Sequence, residues 1–263
     1  MNTQPHFVVD GDGSPIVFVH GSYATTSTWK KMVEQLKATH RCLSIKLPGH
    51  GGAPGPDDLA EPTIDTELQL IEEAVRSQFG ARPVHLVGHS YGGVVALALA
   101  LKGSLPVDQL TLFEPVATWV LPAMGDEVMQ AEVDRFLSTY RSDAEAGVPY
   151  ACGQVIDFWG GGDEFSKLPD FIKDAMAPLT AQNLRHWAIC TRSRYAREDL
   201  QALPMPTRVV CGSRSNSVAH AIADHLVATI PQAEKFTIED ASHAMVTSHP
   251  QDCLAVLHSP VLA

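Results

Sequence analysis

The 263-residue chain is poor in positive charge: 19 Lys and Arg stand against 30 Asp and Glu, a formal net charge of -11. That balance offers no basic face to a polyanion, which argues against nucleic acid and anionic lipid as partners. Long apolar runs are lacking too. The longest, Val94 to Leu101, is too short to span a bilayer, and the amino terminus "MNTQPHFVVDGDGSP" has neither a basic n-region nor an apolar h-region. A soluble, cytoplasmic protein is expected. The 5 cysteines show no paired spacing and read as reduced core thiols. Among 12 histidines there is no H-E-x-x-H, and no C-x-x-C accompanies them, so neither metal nor any other cofactor is expected. "DGDGS" at 10 to 14 opens like a calcium loop, but its twelfth position is Gly21 where a bidentate carboxylate is needed, so it reads as a hairpin turn.

What the chain does have is a regular alternation. Short β-branched and apolar runs occur at 6 to 9, 15 to 19, 41 to 46, 84 to 87, 110 to 113, 207 to 211 and 235 to 238. Amphipathic helical patterns lie between them at 27 to 38, 64 to 79 and 218 to 230. Continuous apolar strands alternating with helices predict an α/β fold with a doubly wound, mostly parallel sheet. The interval 115 to 203 interrupts the alternation with helical patterns and glycine-rich turns. It is expected to form a helical lid inserted in a core made of 1 to 114 and 204 to 263. The interval holds ten of the eighteen aromatic residues, and Trp119, Phe158, Trp159 and Trp187 are expected to face a substrate from the roof of a pocket.

The stretch "LVGHSYGGVV", 86 to 95, sets a serine between glycines at the junction of a strand and a helix. Gly88 and Gly92 lie two residues either side of Ser90, where backbones approach too closely for a β-carbon or where unusual dihedrals are needed. This is the G-x-S-x-G nucleophile elbow; the Gly-Lys-Ser/Thr ending and G-x-G-x-x-G spacing of phosphate loops are missing. A serine hydroxyl attacks only when a base takes its proton, and "EDASHAMVTSHP" supplies His243 after the last strand, in the order Ser then His. His89 is expected to turn away into the sheet packing. His20-Gly21 closes an earlier strand, so the backbone N–H groups of Ser22 and Tyr91 are the expected donors to a developing oxyanion.

Together "HGS", "LPGHGGA", "GHSYGG" and "SHAM" resemble the α/β-hydrolase superfamily over essentially the full chain. The resemblance implies a serine hydrolase that needs no cofactor and cleaves a small-molecule carboxylic ester or thioester through an acyl-enzyme on Ser90. Carbon-carbon bond hydrolases, cofactor-free haloperoxidases and weakly catalytic ligand-binding relatives share the pattern. The sequence departs from it at "VVCGSRSNSVAH", where Ser215 stands in place of the usual triad aspartate. Glu114 in "LTLFEPVA" is the expected substitute, at the end of the strand next to the elbow strand, held extended by Pro115. Asp163 and Asp240 are the alternatives, and Ser215 is expected to matter little. Arg185, Arg192, Arg194 and Arg197 read as a solvated helix face, with an anion-binding cluster as the other reading. Oligomeric state is not legible.

Overall fold

The computed structural model describes residues 6–193 and 195–260. Seven strands, β1 (Phe7–Asp10), β2 (Ser14–Val19), β3 (His40–Ile45), β4 (Val84–His89), β5 (Val107–Phe113), β6 (Thr207–Gly212) and β7 (Ala233–Ile238), form one sheet in the order β1-β3-β2-β4-β5-β6-β7. All neighbours pair in parallel except β1, which runs antiparallel to β3.

The alternation of side chains along β2, β4, β5 and β6 sends one apolar set to each face. On one face Val17, Val19, Leu86 and Leu112 pack under α2 (Asp65–Phe79) and α3 (Tyr91–Lys102), which follow α1 (Lys30–Leu36) in the chain. On the other, Ile16, Phe18, Val87, Phe113 and Val210 meet Met32 and Leu36 of α1. From Tyr91 to Ala100 every residue of α3 is buried, so this helix needs no polar face.

The chain between β5 and β6 contains α4 (Val120–Ala123), α5 (Glu127–Glu145), α6 (Cys152–Gly160), α7 (Asp170–Met176), α8 (Thr180–Arg192) and α9 (Arg197–Gln201), and no strand among its described residues. The sheet resumes at β6 and is completed by α10 (Ser217–Thr229), α11 (Met245–Ser248) and α12 (Pro250–His258). No helix among the described residues is long and apolar enough to cross a membrane. All five cysteines are buried and free.

Two local expectations are corrected. "DGDGS" is a turn but not a hairpin, because β3 lies between β1 and β2. Its glycines are there for close approach: at φ 76° and φ 143°, a Cβ on Gly11 or Gly13 would fall 2.4 Å from the His40 carbonyl oxygen or 2.1 Å from that of Thr39. The helix expected from Ser27 begins instead as a 3-10 turn, Thr26–Trp29, with the Thr25 hydroxyl accepting from the Ser27 amide.

Candidate active site

The elbow follows from backbone crowding. A Cβ on Gly88 would lie 2.3 Å from the Gly92 carbonyl oxygen, and one on Gly92 would lie 2.2 Å from that of Val19. These glycines permit contact between strand, turn and helix, while the unusual dihedrals fall on Ser90 itself, at φ 56° and ψ -125°. A non-glycine residue is held there only when its surroundings over-determine it. Here the Ser90 amide donates to the Phe113 carbonyl at 3.0 Å, and the Ser90 carbonyl accepts from Gly93 at 2.9 Å and from Val116 at 3.3 Å. The hydroxyl is thereby lifted over the carboxyl end of β4. The 20–22 loop presses on it, since a Cβ on Gly21 would stand 2.7 Å from Ser90 Cβ and 3.2 Å from Oγ.

Ser90, His243 and Glu114 form a chain of hydrogen bonds. Glu114 Oε2 accepts from His243 Nδ1 at 2.7 Å, and because a carboxylate only accepts, Nδ1 carries the proton. His243 Nε2 is left to accept from the Ser90 hydroxyl at 2.9 Å. Glu114 Oε1 accepts from the Gly212 amide at 2.7 Å, the Ser215 hydroxyl at 2.5 Å and the Cys211 thiol at 3.4 Å. Burial works to raise this carboxyl, but His243, Ser215 and Gly212 outweigh it and hold it below its ordinary value. Pro115 does not keep Glu114 extended; the residue is left-handed at φ 40°, with its amide donating to the Val210 carbonyl at 2.9 Å. Asp163 and Asp240 are exposed, and neither is bonded to His243. His89 does not turn away: its Nε2 donates to the His243 carbonyl at 2.8 Å, and its ring lies 5.0 Å from that of His243. On the other side Trp159 stacks on His243 at 5.6 Å.

Above Ser90 is a cavity of about 550 Å³. Trp159 and Trp187 line it as expected, beside Val155, Ile156, Leu168, Ile172, Met176 and Leu179. Trp119 and Phe158 do not line it. Trp119 is buried against Tyr195, and Phe158 stacks on Phe136, because both point into the packing of the insertion. No Asp, Glu, Lys or Arg is among the described lining residues. Ser27, Ala175, Ala244 and Thr247 are lining residues exposed to solvent, which puts a mouth between the 3-10 turn, α7 and α11.

Of the face that α8 turns to the cavity, sequence reasoning found only Trp187. Asn183, His186, Trp187 and Cys190, spaced three, four and seven residues from the first, all line the cavity. Arg185 is no solvated residue: it is 2% exposed and ion-paired with Asp58 and Glu67. Arg192 and Arg197 are exposed, and Arg194 lies outside the described residues.

Residues 16–256 match the alpha/beta hydrolase family model. The chain belongs to the alpha/beta hydrolase family. This hydrolase, an enzyme, is 27% identical to the pimeloyl-[acyl-carrier protein] methyl ester esterase of Methylococcus capsulatus, over 94% of each chain. It is 36% identical to a probable lysophospholipase, BODYGUARD 1 of Arabidopsis thaliana, across 38% of this chain; the match spans only 22% of that relative's length. MenH from S. aureus shares the fold with a TM-score of 0.74 at 19% identity, covering 97% of each chain.

Proposed function

We propose that this hydrolase is a cofactor-independent serine esterase, acting on carboxylic esters or thioesters of neutral, apolar acyl groups. The observation that carries the reading is the continuous relay from Glu114 through His243 to Ser90, at 2.7 Å and 2.9 Å, opening into a cavity with no Asp, Glu, Lys or Arg among its described lining residues. In the first half-reaction Ser90 Oγ attacks the acyl carbon while its proton passes to His243 Nε2. Glu114 keeps the ring oriented and stabilises the imidazolium. The carbonyl oxygen becomes an oxyanion that the amides of Ser22 and Tyr91 receive; Tyr91 opens α3, so its N–H has no partner within the helix and lies at the positive end of the dipole. His243 returns the proton to the departing alcohol or thiol. Water, deprotonated by the same Nε2, then releases the acid and restores Ser90.

The names of two relatives, a methyl ester esterase and a probable lysophospholipase, support ester chemistry. The helical segment 115 to 203 acts as a lid over a core built from 1 to 114 and 204 to 263, and the setting is cytoplasmic. An apolar cavity favours an uncharged acyl chain, because an unpaired carboxylate there loses hydration that nothing replaces. The test is labelling of the wild-type protein with a fluorophosphonate, together with a p-nitrophenyl hexanoate burst. Stoichiometric label on Ser90 and its loss in a folded Ser90→Ala variant are expected; an unlabelled wild type with no burst overturns the reading.

A further inference from the structure

Besides His89, three histidines form a column beside the relay without belonging to it. His20 Nδ1 donates to the Gly21 carbonyl at 2.8 Å, and its Nε2 accepts from the Leu47 amide at 3.3 Å, so this ring fixes the backbone just before Ser22. His50 Nδ1 donates to the Pro48 carbonyl at 2.9 Å, and its ring stands 5.5 Å from His20 and 5.4 Å from His186. His186 ends this column and comes from α8, not from the sheet.

His186 is 2% exposed. Its Nδ1 and the Ser22 hydroxyl share a hydrogen bond of 2.7 Å. Its ring lies flat on Tyr91, with centroids 3.7 Å apart and planes 7° from parallel. Ser22 belongs to the loop after β2 and Tyr91 to the start of α3, so no covalent path fixes the distance between their amides. One side chain from the roof touches both.

That side chain is itself anchored. The preceding residue, Arg185, donates through Nη2 to Asp58 Oδ2 at 2.7 Å, Glu67 Oε2 at 3.0 Å and the Thr63 carbonyl at 3.0 Å. Asn183, one turn earlier, accepts from the Tyr140 hydroxyl at 2.8 Å, which is bonded to Tyr23 at 2.9 Å. Tyr23, next to Ser22, is held left-handed at φ 59°. Rotating α8 away from the loop would break a buried ion cluster as well as these bonds. Burial, with His50, Arg185 and His20 adding to it, pushes the His186 imidazole well below its ordinary range. The neutral ring brings no full charge to the site, and its effect is geometric.

We propose that His186 is a positioning residue for the oxyanion donors, setting the Ser22 and Tyr91 amides against each other from the roof of the pocket. The inference rests on the acyl-transfer reading of Ser90. A donor displaced by about 1 Å costs on the order of 10²-fold in rate, and removing one outright costs about 10²- to 10³-fold. The effect belongs to the transition state, because a ground-state carbonyl does not yet carry the charge.

The experiment compares His186→Phe, which keeps the stack and loses the hydrogen bond, with His186→Gln, which keeps a hydrogen-bonding group and loses the ring. Ser22→Ala removes the same bond from the core side and stands in should an α8 variant fail to fold. With p-nitrophenyl hexanoate, His186→Phe is expected to lower kcat about 10- to 100-fold with KM within about 2-fold. Affinity for a trifluoromethyl ketone, which forms a tetrahedral adduct on Ser90, should fall in parallel. Gln should recover part of the loss, and the double variant Ser22→Ala/His186→Phe should be no slower than the worse single variant. Unchanged kcat in folded His186→Phe or Ser22→Ala, or a loss confined to KM, overturns the inference alone, since the wild type still labels and turns over. A wild type that neither labels nor turns over overturns both readings.

Discussion

The Ser215 hydroxyl donates to Glu114 Oε1 at 2.5 Å. The residue standing where the resemblance led us to look for an aspartate thus bonds the glutamate that reaches His243, a contact the sequence reading did not anticipate. Two charges at that point would repel; a hydroxyl there stabilises the one carboxylate present.

Glu114→Gln is expected to keep the side-chain shape but lose the charge and favour the wrong His243 tautomer. A fall in kcat on the order of 10²- to 10⁴-fold should follow, by analogy with the loss of the acid in a protease triad. Ser215→Ala should cost several-fold, up to about tenfold, the scale of one ordinary intramolecular hydrogen bond, since the Gly212 amide still serves the same oxygen. Steady-state kinetics on both variants provide the check. Near-normal kcat in Glu114→Gln would remove Glu114 from the mechanism.

Gly21→Ala places a methyl group 2.7 Å from Ser90 Cβ. Either the 20–22 loop or the serine must shift, and overpacking of this kind costs about 1–3 kcal/mol of stability. Because both moving parts belong to the site, kcat/KM should fall about 100-fold or more while urea denaturation still shows one cooperative transition. Wild-type kcat/KM would show that the loop does not crowd the nucleophile.

For acyl preference, p-nitrophenyl esters of a linear monoacid and of the equal-length diacid half-ester make matched pairs. A terminal carboxylate would meet Leu168, Ile172, Met176 and Leu179, with no Lys or Arg among the described lining residues to receive it. The neutral member is expected to win in kcat/KM by about 10²-fold or more, since an unpaired buried charge costs several kcal/mol. Equal rates for the pair would contradict a charge-free acyl site.

Buried histidines make stability depend on mild acid. Burial lowers His20, His85 and His89 from 6.5 to about 3, and His50 and His186 move the same way. Unfolding returns each ring to water, where it binds a proton below its ordinary value of 6.5. The stabilisation is therefore complete above that value and is lost as pH falls towards the folded value, at about 1.4 kcal/mol per pH unit for each histidine. His85, hydrogen-bonded to Thr111 at 2.9 Å, offers a probe remote from Ser90. Urea unfolding between about pH 7.5 and about pH 5 should show a steep decline, shallower by roughly one proton in His85→Gln. Identical slopes for the two proteins would refute the assignment.

The sheet was legible because β2, β4 and β6 each carry a short apolar run, at 16 to 19, 86 to 87 and 209 to 211, and the elbow because glycine spacing directly encodes backbone crowding. That His243 would meet Ser90 was legible from chain order, and that Glu114 would reach His243 from the position of "LFEP" beside the elbow strand. What escaped was contact between distant segments. Nothing in the neighbourhood of Arg185 announces that Asp58 and Glu67 will enclose it, and its charge alone suggests solvent. Trp119 and Phe158 are as aromatic as Trp159 and Trp187; only the turn of each helix decides which rings face the cavity. The left-handed Glu114 was hidden by the usual effect of a following proline, overridden here by hydrogen bonding to β6.

The loop after β6 has acquired another attachment. Asn216 Nδ2 donates to the Phe158 carbonyl at 2.6 Å, and a Cβ on Gly161 would lie 2.6 Å from the Arg214 carbonyl oxygen. With the acid on β5, nucleophile and acid share a single strand-helix-strand unit that the insertion does not interrupt. The Asn216 side chain and the Arg214 carbonyl meet the segment 158 to 161, and Ser215 between them bonds Glu114. One short loop therefore faces both ways: Asn216 holds the helical segment over the cavity while Ser215 beside it bonds Glu114, so a shift in the mooring is transmitted to the carboxylate as well as to the cavity wall.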